Sequence, residues 1–203
     1  AESVIATLST EDKDIGDTFT YELVSGEGDT DNDSFIIEGN TLKINSSPDY
    51  ETQSSYEIRL KTTDSGGLSY EEAVTLSVND VNEFPHEIVL NDFITEFSVL
   101  DVYPAPAPTI YSLITTIDQD LKDEHTYELV KGEGDNDNNL FNIGSYAGRD
   151  SIHLDFPFGI NEQNYIDFME SSYQFRLKST DLGGLSYEQS FIWDVDSNTV
   201  SVN

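Results

Sequence analysis

The sequence predicts an all-β protein of two tandem seven-stranded Greek-key β-sandwiches, and three observations carry that prediction. Apolar residues alternate with polar ones along short segments, Gly- and Asp-rich turns separate those segments, and the whole pattern occurs twice in 203 residues. A period of two marks half-buried strands, and about seven short strands joined by such turns make a two-sheet sandwich.

The repeat is explicit. Glu11 to Phe35, EDKDIGDTFTYELVSGEGDTDNDSF, recurs as IDQDLKDEHTYELVKGEGDNDNNLF from Ile117 to Phe141, an offset of 106. Ser54 to Glu72, SSYEIRLKTTDSGGLSYEE, recurs as SSYQFRLKSTDLGGLSYEQ from Ser171 to Gln189, an offset of 117. The copies are homologous domains, expected at 1–83 and 84–203, the second with an insertion around 144–170. Val4, Ala6 and Leu8 alternate with polar residues, as do Phe19, Tyr21 and Leu23. Tyr56, Ile58 and Leu60 share one face of a strand, with Glu57, Arg59 and Lys61 on the other. The last strand places Val74, Leu76 and Val78 inward, matched by Phe191, Trp193 and Val195, so the single Trp is expected in the core.

Charge narrows the partners. Nine Lys plus Arg stand against 40 Asp plus Glu, a formal net charge of −31. Phosphate backbones and anionic membrane surfaces need a basic footprint, so nucleic acid and membrane binding are excluded. Without cysteine no disulfide forms. No apolar run approaches the roughly 18 residues that span a bilayer. Opening inside its first strand, the chain reads as part of a larger protein.

The acidic residues are patterned. Asp12-Lys-Asp14 is matched by Asp118-Gln-Asp120, and Asp64-Ser-Gly-Gly67 by Asp181-Leu-Gly-Gly184. Asp49-Tyr-Glu51 lies between, and Asp80-Val-Asn82-Glu83-Phe-Pro85 joins the repeats. Carboxylates at i and i+2 of extended backbone project to one side, where two oxygens can meet a hard cation that needs six to eight. A lone DxD is ordinarily a turn, because Asp bonds nearby amides. All four motifs in order at strand ends point to metal instead. Calcium suits flexible oxygen sites better than magnesium, which demands near-ideal octahedral geometry.

This set resembles the cadherin repeat, in particular the bacterial and cyanobacterial cadherin-like version, and so implies a cadherin/immunoglobulin-like sandwich. The resemblance implies a calcium site at the inter-repeat joint. Asp49 and Glu51 would stand for the family's DRE motif. Asp80, Asn82 and Glu83 would form the linker, with backbone oxygens of Val81 and Phe84. Asp118, Asp120 and Asp181 would come from repeat 2, and Glu2 would be the early glutamate. The linker reads DVNEFP, one residue shorter than the family's DxNDNxP. Asp12, Asp14 and Asp64 would be an N-terminal half-site, and Glu96, Asp167, Glu170, Asp194 and Asp196 a weaker one beyond repeat 2. The resemblance further implies an extracellular adhesion or structural module, secreted or at the cell surface. Its calcium would rigidify a rod, and its partners would be neighbouring repeats or a second copy.

Other features point elsewhere. Asp29-Thr-Asp31-Asn-Asp33 imitates an EF-hand loop but has Ser34 and Asn40 where Gly and Glu belong, so a solvated hairpin loop is expected. Tyr146, Phe156, Phe158, Tyr165 and Phe168 in the insertion support a second reading, a polysaccharide-binding module. Pro104 to Pro108 reads as an extended connector. His86, His125 and His153 form no close-spaced motif, and Gly144 to Gly148 is not GxSxG, so no enzyme is expected.

Overall fold

The computed structural model describes residues 2–14, 16–96, 109–155, 171–197 and 199–203, with side chains at all of these but 92, 94–96 and 109. The chain divides into two units, Ala1–Val81 and Asn82–Asn203, with the break inside the Asp80–Pro85 segment. Among the described residues every long element is a strand.

Unit 1 contains β1 (Ser3–Thr7), β2 (Thr20–Leu23), β3 (Phe35–Glu38), β4 (Thr41–Ile44), β5 (Ser55–Thr63) and β6 (Ser69–Ser77). They form two antiparallel three-stranded sheets, β1-β4-β3 and β2-β5-β6. Phe35, Leu42 and Ile44 from one sheet meet Ile58 from the other, and Leu23, Tyr56, Leu60, Val74 and Leu76 pack around them. The predicted alternation of β5 holds: Ile58 is buried, while Arg59 reaches Glu71 at 3.1 Å and Lys61 reaches Glu22 at 2.8 Å.

One expectation fails in β1. Val4 is 64% exposed although it alternates in phase with Ala6 and Leu8. Val4 pairs with Lys43 and Ala6 with Leu42, so Ile5 is an extra residue and a bulge separates them. A bulge reverses which face the following residues take, leaving Val4 beside outward-facing Lys43.

Unit 2 contains β7 (Glu87–Glu96), β8 (Thr109–Ile117), β9 (Thr126–Leu129), β10 (Phe141–Tyr146), β11 (Arg149–Leu154), β12 (Ser172–Thr180), β13 (Ser186–Asp194) and β14 (Thr199–Val202). The sheets are β10-β11-β8-β7 and β14-β13-β12-β9. Trp193 is fully buried as expected, with Phe93, Phe141 and Phe175 around it. Against seven strands expected per sandwich, six and eight are described. Unit 1 has no described counterpart of β7 or of β14, which pairs back onto β13. Ile88 of β7 is buried opposite Thr116, and its N–H donates to Gln189. At the matching place in unit 1, Leu8, Thr10, Tyr21, Leu60, Tyr70 and Val74 line a groove of about 280 Å³.

The shared GEGD segment has a steric cause. Gly28 and Gly134 take φ of +81° and +85°, and a Cβ on either would lie 2.7 Å from the Cβ of Ala73 or Ser190. The acidic loop that follows is fastened as well as solvated. Asp31 Oδ2 accepts the Glu57 N–H at 2.7 Å, and Asp137 Oδ2 accepts the Gln174 N–H at 2.8 Å.

Candidate metal centre

Hydroxyl bridges bring two strand ends together in each unit. Thr116 Oγ1 lies 2.7 Å from Ser179 Oγ and donates to Tyr127 Oη at 3.0 Å. Thr10, Thr62 and Tyr21 repeat the arrangement at 2.9 and 3.1 Å. Each bridge sits two residues before an acid in both of the segments it joins, so Asp118 meets Asp181, and Asp12 meets Asp64.

A third carboxylate arrives through a turn. The Asp123 N–H donates to the Asp120 carbonyl at 3.0 Å, folding the chain back over Asp118. Asp118, Asp123 and Asp181 thereby place one oxygen each within 4.8 Å of one another, and Asp12, Asp17 and Asp64 do the same in unit 1. The Asp181 turn is closed by its own carboxylate, whose Oδ1 accepts the Leu185 N–H at 2.8 Å, with Gly184 at φ +90°. Its Oδ2 accepts Asn82 Nδ2 at 3.0 Å. Asn82 comes so close that a Cβ on Gly183 would lie 2.4 Å from its Oδ1.

Asp181 is only 6% exposed. Burial alone would raise its pKa, but donation from Asn82, Leu185 and Gly184 and the proximity of His125 outweigh it and hold the carboxyl below its usual range. Asp118 is also enclosed: Oδ1 accepts the Asp120 N–H at 3.2 Å, and His125 Nε2 lies 2.9 Å from Oδ2. A carboxylate oxygen without a proton only accepts, so it is an Nε2–H form of the imidazole that can donate to it.

The remaining predicted ligands lie as follows. Asp120 stands outside the trio, and its Oδ2 accepts the Glu83 N–H at 2.9 Å. Asp14 also stands outside, donating its N–H to Asp12 Oδ1 at 3.0 Å. Asp49 closes the turn before β5, accepting from the Glu51 N–H at 3.1 Å and from the Thr52 hydroxyl at 2.9 Å. The Thr52 hydroxyl is the main reason its carboxyl sits below the usual range. Glu2 lies 3.7 Å from Lys43, which also holds Glu38. Asp80 and 65%-exposed Val81 follow β6 in irregular chain. Asp194 Oδ1 accepts the Ser197 N–H at 3.2 Å in the turn into β14, and Asp196 is in that same turn. The Glu96 side chain and residues Asp167 and Glu170 lie outside the described residues, as do Phe156, Phe158, Tyr165, Phe168 and the 104–108 connector.

Asp17 and Asp123 were not among the predicted ligands. Their signal was present: each stands five residues after the first Asp of its DxD, in both copies. Calcium fits unit 2's donor set. It is all oxygen, and Asp123 Oδ2 is buried with no hydrogen-bond partner among the described residues. Carboxylates this close must share protons or be offset by a cation.

The polysaccharide reading gains nothing. Tyr146, its one described aromatic, packs against buried Tyr111 with ring centroids 4.3 Å apart.

No family model matches the chain. Among solved structures, protocadherin γB7 extracellular domains 3–6, described as a cis-dimer, superimpose with a TM-score of 0.59 over 95% of this chain, at 19% identity. The fold is the cadherin fold. Protocadherin γB2 domains 3–6 give 0.56 over 86% of the chain. Curated cadherins and protocadherins also match in sequence. Human protocadherin-1 is 27% identical over 93% of this chain, and Drosophila melanogaster neural-cadherin 23% over 77%. The chain spans only 17% and 5% of those relatives, and 42% of the γB7 structure. No helix among the described residues is long and apolar enough to cross a membrane.

Proposed function

We propose that this chain is a calcium-binding adhesion and structural module of a larger extracellular protein, secreted or held at a cell surface, whose calcium stiffens the joint between repeats. One observation carries the reading: both cadherin-fold units converge three carboxylates at the same repeat positions. Likeness to cadherin relatives supports it, as does a net charge of −31 that a divalent cation would relieve.

Within unit 2, Asp118, Asp123 and Asp181 would hold an ion, with Asp120, Asn82 and Glu83 close by in the chain's own hydrogen bonds. The motif order adds Asp49, Glu51, Asp80 and Val81 from unit 1, and Glu2 as the early glutamate. Calcium would supply positive charge and fixed coordination, and the chain's part is to bring oxygens to one point. No catalytic step is proposed. Partners are neighbouring repeats and a second copy of the chain. Placement in the bacterial branch rests on motif resemblance alone, since the two relatives described above are animal proteins.

Calorimetric titration of the 203-residue chain with calcium tests the reading. Saturable heat, a calcium-dependent rise in melting temperature and a stiffer solution-scattering profile are expected. Absence of binding heat together with an unchanged melting temperature would sink it.

A further inference from the structure

We propose that Asp123 is a cation ligand outside the DxD and DxGG motifs, and that Leu182 commits unit 2's trio to a metal ion where unit 1's trio has an internal substitute. The proposal rests on the calcium reading above and deepens it.

The two units make the comparison themselves. In unit 1 the third carboxylate is Asp17, and the Ser65 hydroxyl donates to its Oδ1 at 2.7 Å. Ser65 follows Asp64 directly, so the DxGG turn that carries one acid of the trio also satisfies another. The offset of 117 places Leu182 at that position in unit 2. Leucine has no donor, and its side chain faces solvent at 71% exposure.

Unit 2 compensates its other two acids and leaves this one. Asp118 takes donors on both oxygens, from Asp120 and His125. Asp181 does so from Leu185 and Asn82. Asp123 Oδ2 alone in the trio is buried without a partner among the described residues. A buried carboxylate oxygen with no donor is strongly disfavoured unless a cation meets it. The backbone turn from Asp120 nevertheless aims Asp123 at the trio. In unit 1 no described oxygen of the trio is buried without a partner, and Asp17 has the Ser65 hydroxyl.

The test uses the full chain and two variants, read by calcium calorimetry and by Trp193 fluorescence, which reports unit 2 alone. Asp123→Asn is expected to weaken the tightest calcium site about tenfold or more, the scale of losing one charged ligand. Leu182→Ser, which transplants the unit 1 donor, is expected to raise the metal-free melting temperature of unit 2 and shrink its calcium-induced rise. A wild-type chain that binds no calcium overturns the functional reading and this proposal with it. A wild type that binds, with Asp123→Asn binding equally, overturns the ligand role and leaves the functional reading standing. Weakened binding in Asp123→Asn with Leu182→Ser indistinguishable from wild type overturns the role given to Leu182.

Discussion

Asn82 Nδ2 donates to Asp181 Oδ2 at 3.0 Å, joining the first residue of unit 2 to the turn between β12 and β13. Without that bond a carboxylate that is 6% exposed loses one of its compensating donors. Asn82→Ala is expected to destabilise unit 2 by about 1–2 kcal/mol in metal-free buffer. Gly183→Ala should act in the same direction, because its Cβ would occupy the place of the Asn82 amide. Urea unfolding followed by Trp193 fluorescence measures both, and an unchanged midpoint in both variants would show that the contact contributes nothing.

Gly134 of the GEGD segment and Gly148 of the β10–β11 turn separate backbone strain from steric clash. Gly134 and Gly148 both have positive φ, +85° and +78°, but a Cβ meets Ser190 at the first and open space at the second. Gly148→Ala is expected to cost about 1 kcal/mol from conformation alone, and Gly134→Ala at least twice that. Equal costs in chemical denaturation would mean that Ser190 moves aside freely.

Unit 1 should unfold before unit 2. Four apolar side chains are buried in its core cluster against eleven in unit 2, and no described strand fills the groove that Ile88 occupies in its partner. In a metal-free melt, circular dichroism should begin to change while Trp193 fluorescence stays native. Trp193→Ala should remove about 3–5 kcal/mol from unit 2 only. Superimposable curves from both probes would show one cooperative transition instead.

His153 gives a pH handle on unit 2. Burial pushes its pKa below the ordinary histidine value, against a smaller upward pull from Asp155, and its Nε2 lies 2.8 Å from Ser151 Oγ. A depressed folded value means that the stability it contributes is complete above the unfolded value of about 6.5 and is lost as pH falls through the folded value. Proton NMR should place its titration midpoint below that of a free histidine, and His153→Gln should flatten the acid side of the stability profile. A midpoint at or above the free value contradicts the assignment.

Much was legible because it is local. The alternation of Tyr56, Ile58 and Leu60 needs only that successive residues of a strand face opposite ways, and Ile58 is indeed buried. Asp64 and Asp181 could be marked from DxGG because the turn closes within five residues. Val4 could not be placed, since a bulge is a relation between two strands and leaves no trace in one. Asp118 and Asp120 share a motif, but the turn after them sends one to Asp123 and the other to the Glu83 N–H.

By itself, the sequence determined an all-β chain, its internal repeat, its buried Trp and the acidic strand ends. These follow from side-chain period and composition, which each segment expresses alone. Only the tertiary structure decided which acids converge. Thr116 must meet Ser179 across two sheets before Asp118 can reach Asp181, and a backbone turn must then deliver Asp123. It also showed that Ser65 satisfies Asp17 whereas Leu182, at the same repeat position, has nothing to donate to Asp123. The Thr116–Ser179 and Ser65–Asp17 contacts join residues 63 and 48 positions apart, where no local pattern specifies a partner and the packing of the sandwich does.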